Sequence, residues 1–206
     1  MKFSLVSGAV ALAVVAALAG CGGKQQYTVK GTIVNLSNSG LVLTNNGEDL
    51  TVPNGATSFA FGKQIDYGTT YNVAIKSQPA HMTCNWSNGA TTITGSAGYN
   101  VEIALALACV QNSYNLGGQV SGLTAAADGT ARTITLINGS NTQTVLSSAS
   151  ANAGTLDFVT GTVPYGQAYG VTFLDTNNGL TCDVTNGVGV MGESPISNIV
   201  VACRNK

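Results

Sequence analysis

The sequence predicts an all-β protein, two tandem antiparallel β-sandwich modules behind a signal peptide, and three observations lead there. Residues alternate with a period of two in several runs, which is the mark of half-buried strands rather than helices. Asn-Gly pairs punctuate the chain at short intervals and supply the positive φ that tight hairpins need. Finally, the chain repeats itself, its later motifs 98 residues apart and its opening motif 87. No stretch after residue 20 carries a 3.6-residue apolar stripe with caps, so almost no helix is expected there.

The leader comes first. Met1-Lys2-Phe3 is followed by an uncharged run from Leu5 to Leu18, a positive start and an apolar core of the kind that directs export. A helix of those residues would rise only about 21 Å, against the roughly 30 Å hydrocarbon slab, which argues for a removed leader over a permanent span. The next residues, Leu18-Ala19-Gly20-Cys21, resemble the bacterial lipobox. That resemblance implies cleavage before Cys21 and lipidation of its thiol, with palmitate and diacylglycerol chains that together make a stable tether. Gly22, rather than Asp, follows the cysteine, which in such lipoproteins implies the outer membrane. Residues 1–20 are thus read as signal peptide and 21–26 as a flexible anchored tether.

The strands follow in order. Tyr71, Val73 and Ile75 oppose Asn72, Ala74 and Lys76, and Val101, Ile103, Leu105, Leu107 and Cys109 form a second inward row with Glu102 and three alanines opposite. Ile199, Val201 and Cys203 repeat that row later in the chain. Turn signals fall between such runs, at Asn45-Asn46-Gly47, Asn54-Gly55, Ser87-Asn88-Gly89, Asn138-Gly139, Asn178-Gly179 and Asn186-Gly187. Short strands at this spacing in two blocks of about 90 residues argue for sandwiches.

The repeat sets the boundaries. Thr83-Cys84-Asn85-Trp86-Ser87-Asn88-Gly89 is answered by Thr181-Cys182-Asp183-Val184-Thr185-Asn186-Gly187, and Tyr67-Gly68-Thr69-Thr70-Tyr71-Asn72-Val73 by Tyr165-Gly166-Gln167-Ala168-Tyr169-Gly170-Val171. Tyr27, Gly31 and Leu36 recur as Tyr114, Gly118 and Leu123, and each copy closes on Ala-Cys. Module 1 is placed at residues 27–110 and module 2 at 114–206, joined by a very short link that leaves little room for bending.

Four cysteines besides Cys21 allow three pairings in an oxidising compartment. Two copies with two cysteines each are most simply joined within themselves, as Cys84–Cys109 and Cys182–Cys203. A four-thiolate zinc site would need both copies and lacks CxxC spacing, so no metal is expected.

Size and strand count suit an immunoglobulin-like sandwich. The pattern Gly-x-Val-x-Gly-Leu, Leu-x-Leu-x-Asn with Gly, Tyr-Gly-x-x-Tyr-x-Val, Thr-Cys-x-x-x-Asn-Gly and a closing Ala-Cys resembles the disulfide-bearing, immunoglobulin-like repeats of bacterial surface lipoproteins. The resemblance implies a structural or adhesive part in the cell envelope and no common catalysis. The copies differ: Ile33-Val34-Asn35-Leu36 stands where module 2 has Val120-Ser121-Gly122-Leu123.

Composition narrows function further. Charged residues are 8% of the 206, against roughly 25% in ordinary domains, and 8 Lys+Arg against 9 Asp+Glu leave a net charge of −1. No basic field gathers phosphates, which excludes nucleic acid as a partner. His81 is the single histidine, in a turn-like stretch read as an exposed loop, and Glu48-Asp49 is the only adjacent acidic pair, so neither a triad nor a paired-carboxylate site is expected. Asp175-Thr176-Asn177-Asn178-Gly179 faintly resembles the start of a calcium loop but lacks the later Glu. No catalytic residue and no cofactor are assigned. The remaining partners are the membrane, through Cys21, and an envelope protein or a glycan. For a glycan, Tyr67, Tyr99 and Tyr165 are the loop aromatics to weigh, while Trp86 is read as core.

Overall fold

The computed structural model of the chain describes residues 24–100, 102–139 and 142–206, so the leader and Cys21 lie outside the described residues. Alternation builds the first half from β1 (Gln26–Tyr27), β2 (Val29–Val34), β3 (Val42–Asn45), β4 (Glu48–Thr51), β5 (Ser58–Ala60), β6 (Ile65–Asp66), β7 (Thr70–Ser77), β8 (Met82–Trp86), β9 (Thr92–Ser96) and β10 (Ile103–Gln111). The second half has β11 (Ser113–Ser121), β12 (Thr133–Asn138), β13 (Thr142–Ser147), β14 (Leu156–Pro164), β15 (Ala168–Leu174), β16 (Leu180–Thr185), β17 (Val188–Val190) and β18 (Ile196–Asn205). A single 3₁₀ turn at Ser148–Ser150 is the only helical element among the described residues.

The repeat in sequence is a repeat in topology. In the first half, sheet β5-β2-β10-β8 faces sheet β4-β3-β7-β9 across one apolar core, and in the second half β14-β11-β18-β16 faces β13-β12-β15-β17 across another. Equivalent strands occupy equivalent places. Most pairings are antiparallel, but β2 runs parallel to β10 and β11 parallel to β18. This exception to an all-antiparallel sandwich joins an early strand of each half to its last, the two running the same way. The chain therefore enters at one end and leaves at the other.

Turn chemistry acts where expected. Asn46 and Gly47, between β3 and β4, both have positive φ (47° and 84°), the two-residue turn whose twist matches its flanking strands. Along β10, Ile103, Leu105, Leu107 and Cys109 are buried while Ala104, Ala106 and Ala108 are exposed. Trp86 is 1% exposed, its indole Nε1–H donating to Thr91 O at 3.3 Å and its ring 6.0 Å from Phe59. In each half a tyrosine lies across a glycine of the neighbouring strand, Tyr71 opposite Gly95 and Tyr169 opposite Gly189. A Cβ at either glycine would meet the phenol, so a substitution there would require the tyrosine ring to shift.

Cys84 and Cys109 face each other on β8 and β10, and Cys182 and Cys203 on β16 and β18, with Cα atoms 3.9 Å and 4.0 Å apart. That is the close spacing of a non-hydrogen-bonded antiparallel pair. Each disulfide staples neighbouring strands of one sheet rather than crossing the core.

The link is shorter than the sequence boundaries suggest. Strand β10 runs on to Gln111 and β11 begins at Ser113, leaving Asn112 alone between them. At the other end Gln26, assigned to the tether, pairs with Asp66 in the β1–β6 ribbon.

Candidate functional site

The described residues converge most closely where the two halves meet. Asn112 is pinned on both sides: its N–H donates to His81 O at 2.9 Å, and its carbonyl accepts the Tyr165 N–H at 2.8 Å. Its side-chain oxygen accepts the Thr83 hydroxyl at 2.7 Å. Tyr165 belongs to the Tyr-Gly turn between β14 and β15, where Gly166 has φ 77°. The same turn in the first half places Tyr67, whose N–H bonds to Gln25 O. The turn motif thus holds the incoming chain in both copies.

His81 stands on the β7–β8 loop with φ 58°. Its ring stacks on Tyr165, centroids 3.7 Å apart and planes at 11°. Its Nδ1 lies 2.6 Å from Glu193 Oε1 on the loop before β18, an ion pair whenever the imidazole is protonated. The histidine read as an exposed loop residue is therefore part of the junction. The sequence carries no signal for this, because Glu193 is 112 positions away and belongs to no motif.

A groove of about 1090 Å³ opens beside this contact, lined from the first half by residues such as Asn54, His81 and Gln111 and from the second by Asn138, Tyr165 and Gln167. Among the described residues that line it, none is Asp, Glu, Lys or Arg. Asn138 Oδ1 accepts the Gly170 N–H at 2.9 Å, and Gln111 Nε2 donates to Tyr165 O at 3.5 Å.

The three tyrosines singled out in the sequence do not share a site. Tyr165 is at the junction. Tyr67 and Tyr99 lie at the opposite end of the first half, 64% and 91% exposed. Tyr67 covers Gly98, and Tyr99 borders a smaller groove of about 540 Å³ that also contains Glu102, which is paired with Lys30. Cys21 lies outside the described residues.

The acidic positions are occupied by structural partners. Asp175 Oδ1 and Oδ2 accept from Lys206 Nζ at 2.8 and 2.7 Å, and Oδ1 also accepts the Asn177 N–H. These bonds hold its carboxyl below the usual carboxylate range, the Lys206 bond contributing most. The lysine fills the place a cation would take. Glu48 and Asp49 point apart along their strand: Glu48 accepts the Gly62 N–H at 2.9 Å, whereas Asp49 pairs with Lys76, which lowers its pKa. No group of three or more His, Cys, Asp or Glu side chains suited to a metal occurs among the described residues.

The two halves differ on their outer faces. Val145, Leu174, Val188 and Val190 are exposed on the β13-β12-β15-β17 sheet, whereas the first half keeps the Lys76–Asp49 pair and the exposed threonines Thr92 and Thr94 on the matching sheet.

Comparison with protein-family models gives no match, and comparison with curated proteins gives none. Among solved structures, the chain is similar to the Bacillus anthracis TIE protein at 15% identity and TM-score 0.42, over 86% of this chain and 34% of that one. It spans about a third of that protein's length. It is also similar to the major pilin of Streptococcus pyogenes, at 14% identity and TM-score 0.28 over 89% of this chain and 99% of the pilin. A B repeat unit of the collagen-binding surface protein of Staphylococcus aureus follows at 13% identity and TM-score 0.27, over 88% of this chain and 100% of that one. Among the described residues no helix is long and apolar enough to cross a membrane.

Proposed function

We propose that the chain is a lipid-anchored protein of the bacterial outer membrane in which two immunoglobulin-like modules, residues 27–110 and 114–206, act without catalysis as a stiff spacer and binding module. The observation that carries this reading is the one-residue link. Asn112 is bonded through its backbone to His81 on one side and Tyr165 on the other, so no free residue separates the halves. Two domains of one chain ordinarily retain relative motion unless their interface is large and hydrophobic. Here the stacked rings and the Glu193 contact oppose it at the pivot itself.

Three further observations support the reading. Leu18-Ala19-Gly20-Cys21 follows an export leader, the four remaining cysteines are paired as bridges, and the only histidine is engaged in the junction. Bridged modules suit an oxidising exterior.

Intact-mass spectrometry of protein extracted from the envelope tests it. A mature chain starting at an acylated Cys21, released to the soluble fraction by Cys21→Ser, is the expected result. A mature chain beginning elsewhere, or a Cys21→Ser variant that stays in the membrane fraction, overturns the anchor.

A further inference from the structure

The spacer reading leaves the junction groove without a role. We infer that this groove, between the Tyr165 turn and the first half's Asn54 and Gln111, is a binding site for a neutral saccharide.

Three properties of the groove select that ligand class. The first is charge. Among the described residues the lining has no acidic or basic side chain apart from His81, which is already engaged by Glu193, so an acidic glycan, a nucleotide or a charged peptide finds no free ionic partner for the charges it would have to desolvate.

The second is the supply of carboxamides. Asn38, Asn54, Gln111, Asn138 and Gln167 line the groove from five separate segments of both halves, Asn38 with its NH₂ already donating to Ala80 O at 2.7 Å. Each carboxamide offers a donor and an acceptor side by side, the pattern that adjacent sugar hydroxyls present in return. Asn138 uses its oxygen on the Gly170 N–H, and its NH₂ group takes no part in that bond. Its counterpart Asn45 makes the same kind of bond, to the Asn72 N–H, but is buried at 3% exposure. The asparagine faces a groove only at the junction.

The third is a fixed aromatic face. Tyr165 is held by His81 stacked on one side and by its N–H bond to Asn112. A ring already immobilised loses little side-chain freedom when a ligand lies against it. Large apolar pockets that anchor protein partners are missing from this lining, whose aliphatic members are Ala80, Val163, Pro164 and Ala168, with Val163 buried. Pockets at domain boundaries are a recurrent place for small ligands. The 540 Å³ groove at the other end is smaller and carries Glu102.

The test uses the full chain in detergent with neutral oligosaccharides of the malto, cello, manno and chito series as probes, measured by titration calorimetry. At least one series is expected to bind. Gln167→Ala and Asn54→Ala each weaken that binding about threefold to tenfold, the loss of one or two neutral hydrogen bonds. Tyr165→Ala weakens it about tenfold or more, while Tyr99→Ala changes it less than twofold. Since Tyr165→Ala also loosens the junction, the two amide variants carry the decision. No binding by any series at millimolar concentration overturns the inference. So does binding that survives both amide variants, or that is lost on Tyr99→Ala, or that requires a charged sugar. None of these outcomes bears on where Cys21 is anchored.

Discussion

The rings of His81 and Tyr165 stack 3.7 Å apart across the boundary between the two halves, and the same histidine's Nδ1 lies 2.6 Å from Glu193. One side chain of the first half thereby touches two separate loops of the second. An aromatic stack contributes about 0.5–1.5 kcal/mol beyond burial, a small fraction of folding stability but enough to bias a one-residue pivot.

Replacing either ring should therefore loosen the junction without unfolding the modules. His81→Ala or Tyr165→Ala is expected to lower melting temperature by only a few degrees. Small-angle scattering and residual dipolar couplings should show a broader range of orientations between the halves. Unchanged couplings in both variants would mean that Asn112 alone sets the geometry.

Glycine is required where strands cross most closely. A Cβ at Gly118 would overlap the carbonyl oxygen of Ile199 in the parallel β11–β18 pair. Gly118→Ala should cost about 3 kcal/mol or more, since backbone would have to move. Gly170→Ala is the control: nothing lies within 4 Å of its added carbon, and its stability should change by less than about 0.5 kcal/mol. Denaturant midpoints of the two variants, compared at equal slope, decide this.

The two bridges should act independently. They close 25- and 21-residue separations, and the chain-entropy account gives each about 3 kcal/mol. Cys84→Ala with Cys109→Ala should destabilise the first half alone, splitting calorimetric melting into two transitions, and Cys182→Ala with Cys203→Ala should do the converse. A single cooperative transition shifted equally by either pair would show the halves to be energetically one unit.

Acid should weaken the fold through Asp49 and Asp175. Lys76 and Lys206 hold their carboxyl groups below the ordinary 3.8, so the folded state binds these protons less readily than the unfolded chain. The contribution is complete above that value and is lost as pH falls through the lower folded values. Stability from these two groups is thus level from neutrality to about pH 5 and declines below it. Asp49→Asn and Asp175→Asn should each flatten the decline, read from denaturant midpoints at a series of pH values.

Much of this could be read in the chain. Val73, Ile103, Leu105 and Leu107 announced buried strand faces because strand side chains alternate strictly, and Asn46-Gly47 announced a hairpin because few other pairs tolerate positive φ at both positions. Trp86 was legible as core from its register with Cys84. The parallel closures β2–β10 and β11–β18 were not, since nothing local to Val29 or Ile103 records which distant strand lies beside it. The tyrosines were legible as candidates, yet the separation of Tyr165 from Tyr67 and Tyr99 depends on which end of each half meets the other.

Sequence alone raised the expectation of a leader and an acylated Cys21, and it determined the all-β class, the two copies and the near absence of charge, because each rests on residue type and spacing along the chain. Tertiary structure alone decided that His81 meets Tyr165 and Glu193, that Asn112 is clamped from both sides, and that neutral carboxamides from five segments border one groove. Those contacts join residues tens of positions apart, and only folding brings them within reach.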